Sequence, residues 1–246
     1  MKRIISTDVL VIGLAISALA VGVGCRKKID VNSADVKNSP EAKACPKSEG
    51  MISDGESNSN QIGTIKGRGG YWYTFVDTNG STITPMSGAQ GGTFAMSPGG
   101  ANGTKYAAHM SGQVGGGDTV YAGMALNFVD PKGTYDATAY KGISFWAKIG
   151  PGSTPNVRLK VPDISTDPDG KICKECFNDF GYDLVLSTEW KQFFIPYAAM
   201  KQMKGWGSPR NSAIDPSQIY GLQWQVNEKG AAYDVWVDEI QFTGCP

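Results

Sequence analysis

The chain has 246 residues, among them 32 Gly, 6 Trp, 10 Tyr and 9 Phe, and its 23 basic residues balance 23 acidic ones. Scarce Leu argues against helix bundles and coiled coils, which need Leu-rich stripes. Zero net charge leaves no electrostatic footprint for nucleic acid, whereas abundant Gly and aromatics favour short strands joined by tight turns.

In chain order, Lys2 and Arg3 precede an apolar run over 9–23 that stops at Gly24-Cys25. This reads as a secretory signal peptide over 1–24, outside the fold. The run is shorter than the roughly 20 residues that span a bilayer as a helix, which disfavours a transmembrane anchor. Small residues followed by Cys25 resemble a bacterial lipoprotein signal, in which that Cys becomes the lipidated first residue. Gly22 departs from the Leu, Val or Ile usual three positions earlier, and Asp8 is untypical beside the run. With Arg26 next, the resemblance implies an outer-membrane or cell-surface lipoprotein, held to the membrane by its lipid. Residues 25–48 are polar without an apolar period and read as a flexible tether, leaving 49–246 as the folded domain.

Removing Cys25 leaves Cys45, Cys173, Cys176 and Cys245, an even number that suggests two disulfides in an exported chain. Three pairings exist. Domain termini often lie close together, which favours Cys45–Cys245 and leaves Cys173–Cys176 as a loop staple. A redox or zinc role for the Cys-x-x-Cys lacks the βαβ context or the second pair it would need.

The body alternates with period two. Strands are expected at 71–76, 105–113, 119–129, 142–148, 156–161, 190–196, 219–227 and 233–242, with a helical turn over 197–202. Asn79-Gly80 reads as a hairpin turn. On 142–148, Ile143, Phe145 and Ala147 share one face, and Ser144, Trp146 and Lys148 the other. Val157, Leu159 and Val161 point inward against Arg158 and Lys160; Tyr220, Leu222, Trp224 and Val226 oppose Gln223, Gln225 and Asn227. Val235 and Val237 point inward on the last strand. Many strands with Gly-rich connections indicate an all-β sandwich, a jelly roll.

The ordered series YKGISFWAK (140–148), NVRLKVPD, EWKQFFIPY (189–197), YGLQWQV and YDVWVDEIQF, after SDGE (53–56) and GRGGYWYTFVD (67–77), resembles the galactose-binding-domain-like jelly rolls. Within them it is similar to family 11 carbohydrate-binding modules and the complex I intermediate-associated family. The loop CxxCFNDFG (173–181) resembles loops of exported bacterial proteins with this domain. The resemblance covers roughly 51–246 and implies a structural Ca²⁺ where the first strand meets the last, with Glu56 and Asp238, joined by Asp54, as its ligands.

A sugar ring has an apolar face and a rim of hydroxyls, so it is held by aromatic stacking and planar hydrogen-bonding side chains. Outward-pointing Trp146, Arg158, Gln223 and Gln225 have those types. Tyr71, Trp72 and Tyr73 could contribute from an early strand, and Asp179 and Tyr182 from the rim of the Cys loop. Trp190 and Trp224 are expected in the core. His109, the sole histidine, lies mid-strand without a nucleophile elbow. Asp163, Asp167, Asp169, Asp179 and Asp183 sit in a Gly/Pro-punctuated stretch, where solvated acids are the default. The expectation is non-catalytic binding of polysaccharide, with β-glucan as the candidate ligand. The alternatives are a glycan hydrolase or lyase on the same sandwich, marked by a deep cleft with two converging acids, and a surface adhesion or structural protein, marked by a flat apolar patch.

Overall fold

The computed structural model describes residues 42–57, 59–86 and 94–245. The expected signal peptide, the lipidation at Cys25 and the tether up to residue 41 lie outside these. Two antiparallel sheets face each other. One takes the order β10 (Lys191–Pro196), β7 (Gly142–Ile149), β12 (Ala232–Thr243), β5 (Tyr106–Gln113), β3 (Thr82–Thr84). Short β1 (Met51–Ser53) pairs with β12, and β4 (Ser97–Pro98) with β5. The second sheet runs β2 (Trp72–Val76), β6 (Ala122–Asn127), β11 (Gly221–Val226), β8 (Asn156–Val161), β9 (Phe180–Val185). This is the jelly-roll sandwich that the alternation implies.

The inward faces follow the parity of the sequence. Trp72 stacks between Phe94 and Trp224, with ring centroids 5.4 and 5.6 Å away, and Phe145 meets Trp224 edge-on at 5.4 Å. Trp72 is fully buried, with Nε1 donating to Ser53 Oγ at 3.1 Å. Its place is therefore the core, not a strand edge that a ligand could reach. Trp224 is in the core as expected. Trp190 is not: it is half-buried on the outer surface, with Lys148 Nζ 5.0 Å from its ring centroid.

Along β12 the inward set changes from Val235 and Val237 to Ile240 and Phe242. The register against β7 shifts between Asp238 and Gln241, and Glu239 has φ +45°. A bulge inserts one residue and reverses the alternation, so a strict period of two fails there. The Asn79-Gly80 turn is not a hairpin, because β2 pairs with β6 in one sheet and β3 with β5 in the other. Asp77 organises this crossing. Its carboxylate accepts the Asn79 amide, the Ser81 hydroxyl and the Tyr121 amide. Burial pushes the Asp77 carboxyl up, but these donors outweigh it and hold the group below its ordinary value.

Both disulfides form as the termini argument favours: Cys45–Cys245 and Cys173–Cys176. The first closes a loop of about 200 residues and contributes about 5 kcal/mol in the chain-entropy account; the second closes a four-residue loop and contributes much less. The packed body begins earlier than residue 49. Ala44 bridges to Thr243, Cys45 is buried, and α1 (Lys47–Gly50) leads into β1.

Candidate functional site

The outer face of the five-stranded sheet is built from two rows that cross all five strands. The first runs Tyr73, Ala125, Gln223, Lys160, Gly181; the second runs Phe75, Gly123, Gln225, Arg158, Asp183. Each places an aromatic, a residue with little or no side chain, an amide and a cation side by side. Gly123 and Ala125 keep the floor low in the middle. A Cβ on Gly123 would collide with the Phe75 ring, which lies across that space. Gly221 starts β11 on the same face.

Loops from both ends of the strands raise a rim around this floor and enclose a groove of about 670 Å³. At one end stand Asp118, Tyr121, Asn227 and Lys229; at the other, Lys132, Asp167 and the 176–179 segment, with Met203 and Trp206 from the following loop. Phe177 is 58 % exposed and Trp206 42 %, so two aromatic faces border the groove without being consumed by the core.

Every cation of the groove faces a carboxylate. Lys132 Nζ lies 2.8 Å from Asp167 and 2.9 Å from Asp169; Lys160 Nζ lies 3.0 Å from Asp179 and donates to Gln225 Oε1 at 3.2 Å; Arg158 donates to Asp183 Oδ1 at 2.6 Å and Lys229 to Asp118 at 3.3 Å. Burial lowers the Lys132 pKa, but bonds to Asp167 and Asp169 outweigh that and raise it, so the ammonium stays charged. Burial, opposed by Lys132 and reinforced by Asp167 and Asp179, pushes the Tyr73 phenol up to about 12. It therefore remains a hydrogen-bond donor at neutral pH. Asp179, only 1 % exposed, has no hydrogen-bond donor on Oδ1 among the described residues.

Of the residues expected at a sugar site, the groove brings together Tyr73, Arg158, Gln223, Gln225 and Asp179. Tyr71 precedes β2 and is not among its lining residues. Tyr182 points to the inner side of β9 and packs on the core, because β9 is a strand rather than part of a loop rim. Trp146 lies on β7, in the opposite sheet, paired with Gln192 and Asp238. It does not face this groove. Reasoning from sequence missed Phe75, which shares parity with Tyr73. It also missed Trp206, an aromatic between Gly205 and Gly207 in a polar loop.

The carboxylates expected to hold Ca²⁺ serve as hydrogen-bond acceptors for protein donors. Asp238 Oδ2 accepts the Ala101 amide at 2.8 Å and the Thr104 hydroxyl at 2.6 Å, and Oδ1 accepts the Glu239 amide at 2.7 Å. Glu56 Oε1 accepts the Lys105 and Tyr106 amides, and Asp54 Oδ1 the Glu56 amide. Both Asp238 oxygens are thus engaged by protein donors, whereas Ca²⁺ wants six to eight oxygens around it. Among the described residues no three His, Cys, Asp or Glu side chains form a metal-holding group.

His109 sits on the outer face of the seven-stranded sheet. Nε2 lies 2.9 Å from Asp234 Oδ1, Nδ1 3.4 Å from Ser97 Oγ, and the ring stacks on Trp236 at 3.9 Å.

No protein-family model and no curated protein matches this chain. Solved structures do. The family 11 carbohydrate-binding module of the cellulosomal cellulase Lic26A-Cel5E of Clostridium thermocellum superposes with TM-score 0.53 at 16 % identity, covering 80 % of this chain and 95 % of that one. A family 11 module from the same organism, in complex with a β-1,3-1,4-mixed-linked tetrasaccharide, gives 0.52 at 16 %, covering 80 % and 97 %. The solution structure of CtCBM11 gives 0.52 at 16 %, covering 80 % and 95 %. The chain shares the jelly-roll fold of these modules.

Proposed function

We propose that this protein binds polysaccharide non-catalytically along the groove of the five-stranded sheet. The observation that carries the reading is the pair of cross-strand rows, aromatic then small then amide then cation, bordered by Phe177 and Trp206. Tyr73, Phe75, Phe177 and Trp206 supply stacking faces, and Gln223, Gln225 and Arg158 supply planar hydrogen-bonding groups. Carbohydrate recognition by a neighbour of the same fold, with a mixed-linked tetrasaccharide bound, supports the class of ligand. The acids Asp167 and Asp179 are each tied to a lysine, an arrangement suited to fixing Lys132 and Lys160 as donors. A depression with a raised rim is also unlike the flat apolar patch of an adhesive surface.

The protein is expected to be retarded in a native gel containing barley mixed-linked β-glucan or another neutral glucan, and Trp206→Ala to abolish most of the retardation. No retardation on any of a panel of glucans, xylans and galactans overturns the reading. We further propose that the chain is exported and held to a membrane by lipid on Cys25. Mass spectrometry of the N-terminus would then find a diacylated or triacylated Cys25; an unmodified terminus elsewhere refutes it. No helix among the described residues is long and apolar enough to cross a membrane.

A further inference from the structure

The aromatic border of the groove comes from two segments distant from the sheet floor, and what holds them is visible. The Cys173–Cys176 disulfide closes the first segment, and Cys176 itself lines the groove beside Phe177. Phe177 has φ +71°, a conformation costly for a residue with a Cβ. It is held there by the hydrogen bond its amide donates to Thr166 O at 2.9 Å and by the disulfide immediately before it. The second segment, which carries Met203 and Trp206, is fastened to the first at several points. Lys174 N donates to Ser208 O at 2.8 Å and Ser208 N to Glu175 O at 3.1 Å, a small antiparallel bridge. Gly207 N donates to Glu175 Oε2 at 3.0 Å.

Asn178 is the centre of this joint. It is buried, and its side chain uses both ends of the amide: Nδ2 donates to Met203 O at 3.0 Å and to Trp206 O at 2.6 Å, while Oδ1 accepts Met203 N at 2.8 Å. The carbonyl of Asn178 accepts Gln202 Nε2 at 2.9 Å. Gly207, with φ +85°, leaves room for this side chain, since a Cβ there would strike Asn178. No aliphatic residue could satisfy three backbone groups of another loop in this way. The backbone polar groups on either side of Trp206 are thus paired with a segment whose own end is covalently closed.

We infer that the Cys173–Cys176 disulfide and the Asn178 amide form a brace that sets the position of Phe177 and Trp206, and so the grip of the groove. These are positioning residues; the stacking surfaces are Phe177 and Trp206. The inference deepens the binding reading and rests on it for its functional half. Its mechanical half stands on the disulfide and the hydrogen bonds.

Two measurements on the full chain separate the halves. In Cys173→Ser with Cys176→Ser, and independently in Asn178→Ala, hydrogen exchange at the Met203, Gly207 and Ser208 amides is expected to accelerate at least tenfold, with exchange in β6 and β11 unchanged. Asn178→Asp, which keeps the Oδ1 acceptor but turns a carboxylate oxygen toward the Met203 and Trp206 carbonyls in place of both donors, should accelerate exchange at least as much as Asn178→Ala. Affinity for barley β-glucan is expected to drop about fivefold in the Ser pair, and by less than about twofold when the same pair is introduced into a Trp206→Ala background, because coupled groups are non-additive. Unchanged exchange overturns the brace, and equal losses in both backgrounds overturn its action through Trp206. If the parent protein binds no glycan, the binding reading fails, and the exchange data alone decide whether the brace exists.

Discussion

The outer faces of the two sheets carry similar residue types and use them differently. On the five-stranded sheet Tyr73 stands beside Ala125 and the Phe75 ring lies over Gly123, so the rings lie low on the floor, and loops from both strand ends rise around it. On the seven-stranded sheet two tryptophans and a histidine are spent on one another and on a cation. Lys148 Nζ lies 5.0 Å from the centroids of both Trp190 and Trp236, and Trp236 stacks on His109 while its Nε1 donates to Asp234. The lesson is that ligand-holding ability lies less in the count of aromatics on a face than in whether small neighbours and loops leave their faces unoccupied.

The sharpest way to break this comparison is to remove one aromatic from each face. Tyr73→Ala is expected to weaken retention by glucan at least tenfold, about 1.4 kcal/mol, as for an aromatic anchor near the centre of an interface. Trp146→Ala should leave it unchanged. Equal losses, or a loss only with Trp146→Ala, would move the site to the opposite sheet.

The low floor itself is the next target. Gly123→Ala places a methyl where the Phe75 ring now lies, so the ring must swing toward the groove. A stability cost of about 1 kcal/mol is expected from overpacking, read as a shift in urea midpoint. A several-fold loss of glucan retention should accompany it. Retention equal to the parent would show that the floor between the rows is not occupied by ligand.

These contrasts also mark what could be read from residue order. Parity along β7, β8 and β11 correctly separated Trp146, Arg158, Gln223 and Gln225 from the core, and the strand series indicated the sandwich. Parity says which residues share a face of one strand; it does not say which strands share a sheet. Trp146 and Gln223 therefore looked like partners although they lie in opposite sheets. β9 does alternate, Phe180, Tyr182 and Leu184 against Gly181 and Asp183, but its start is shared with the Cys loop 173–181, which hides the strand and makes Tyr182 resemble a rim residue. β1, β3 and β4 are too short to show any period. Trp206 owes its place to hydrogen bonds with Asn178, a tertiary pairing that no local pattern encodes. The bulge at Glu239, likewise, reverses the alternation without a glycine to announce it.

On the seven-stranded face the expected effects are on stability. Lys148→Met keeps an unbranched chain but removes the charge between Trp190 and Trp236. A loss of about 0.5–1 kcal/mol is expected for exposed cation–π contacts, with glucan retention unaltered. A loss of retention would show that this face takes part in binding after all.

The smallest effect concerns His109. Burial pushes its imidazole below the ordinary 6.5, Asp234 opposes through its charge and hydrogen bond, and Lys148 adds to the lowering. A histidine whose pKa is depressed by folding binds fewer protons in the native state than in the unfolded chain. Stability must then rise with pH across the interval between the depressed value and 6.5, and fall as the solution is acidified through that interval. The side chains are partly exposed, 22 % for His109 and 37 % for Asp234, so solvent screening keeps the change to less than about 1 kcal/mol. Urea midpoints measured from pH 7.5 to 5 should decline more steeply for the parent than for His109→Gln, which cannot take up the proton. The opposite order, with the parent gaining stability on acidification relative to His109→Gln, would mean that the Asp234 ion pair dominates burial. The face would then hold a charged histidine instead of a neutral one stacked on Trp236.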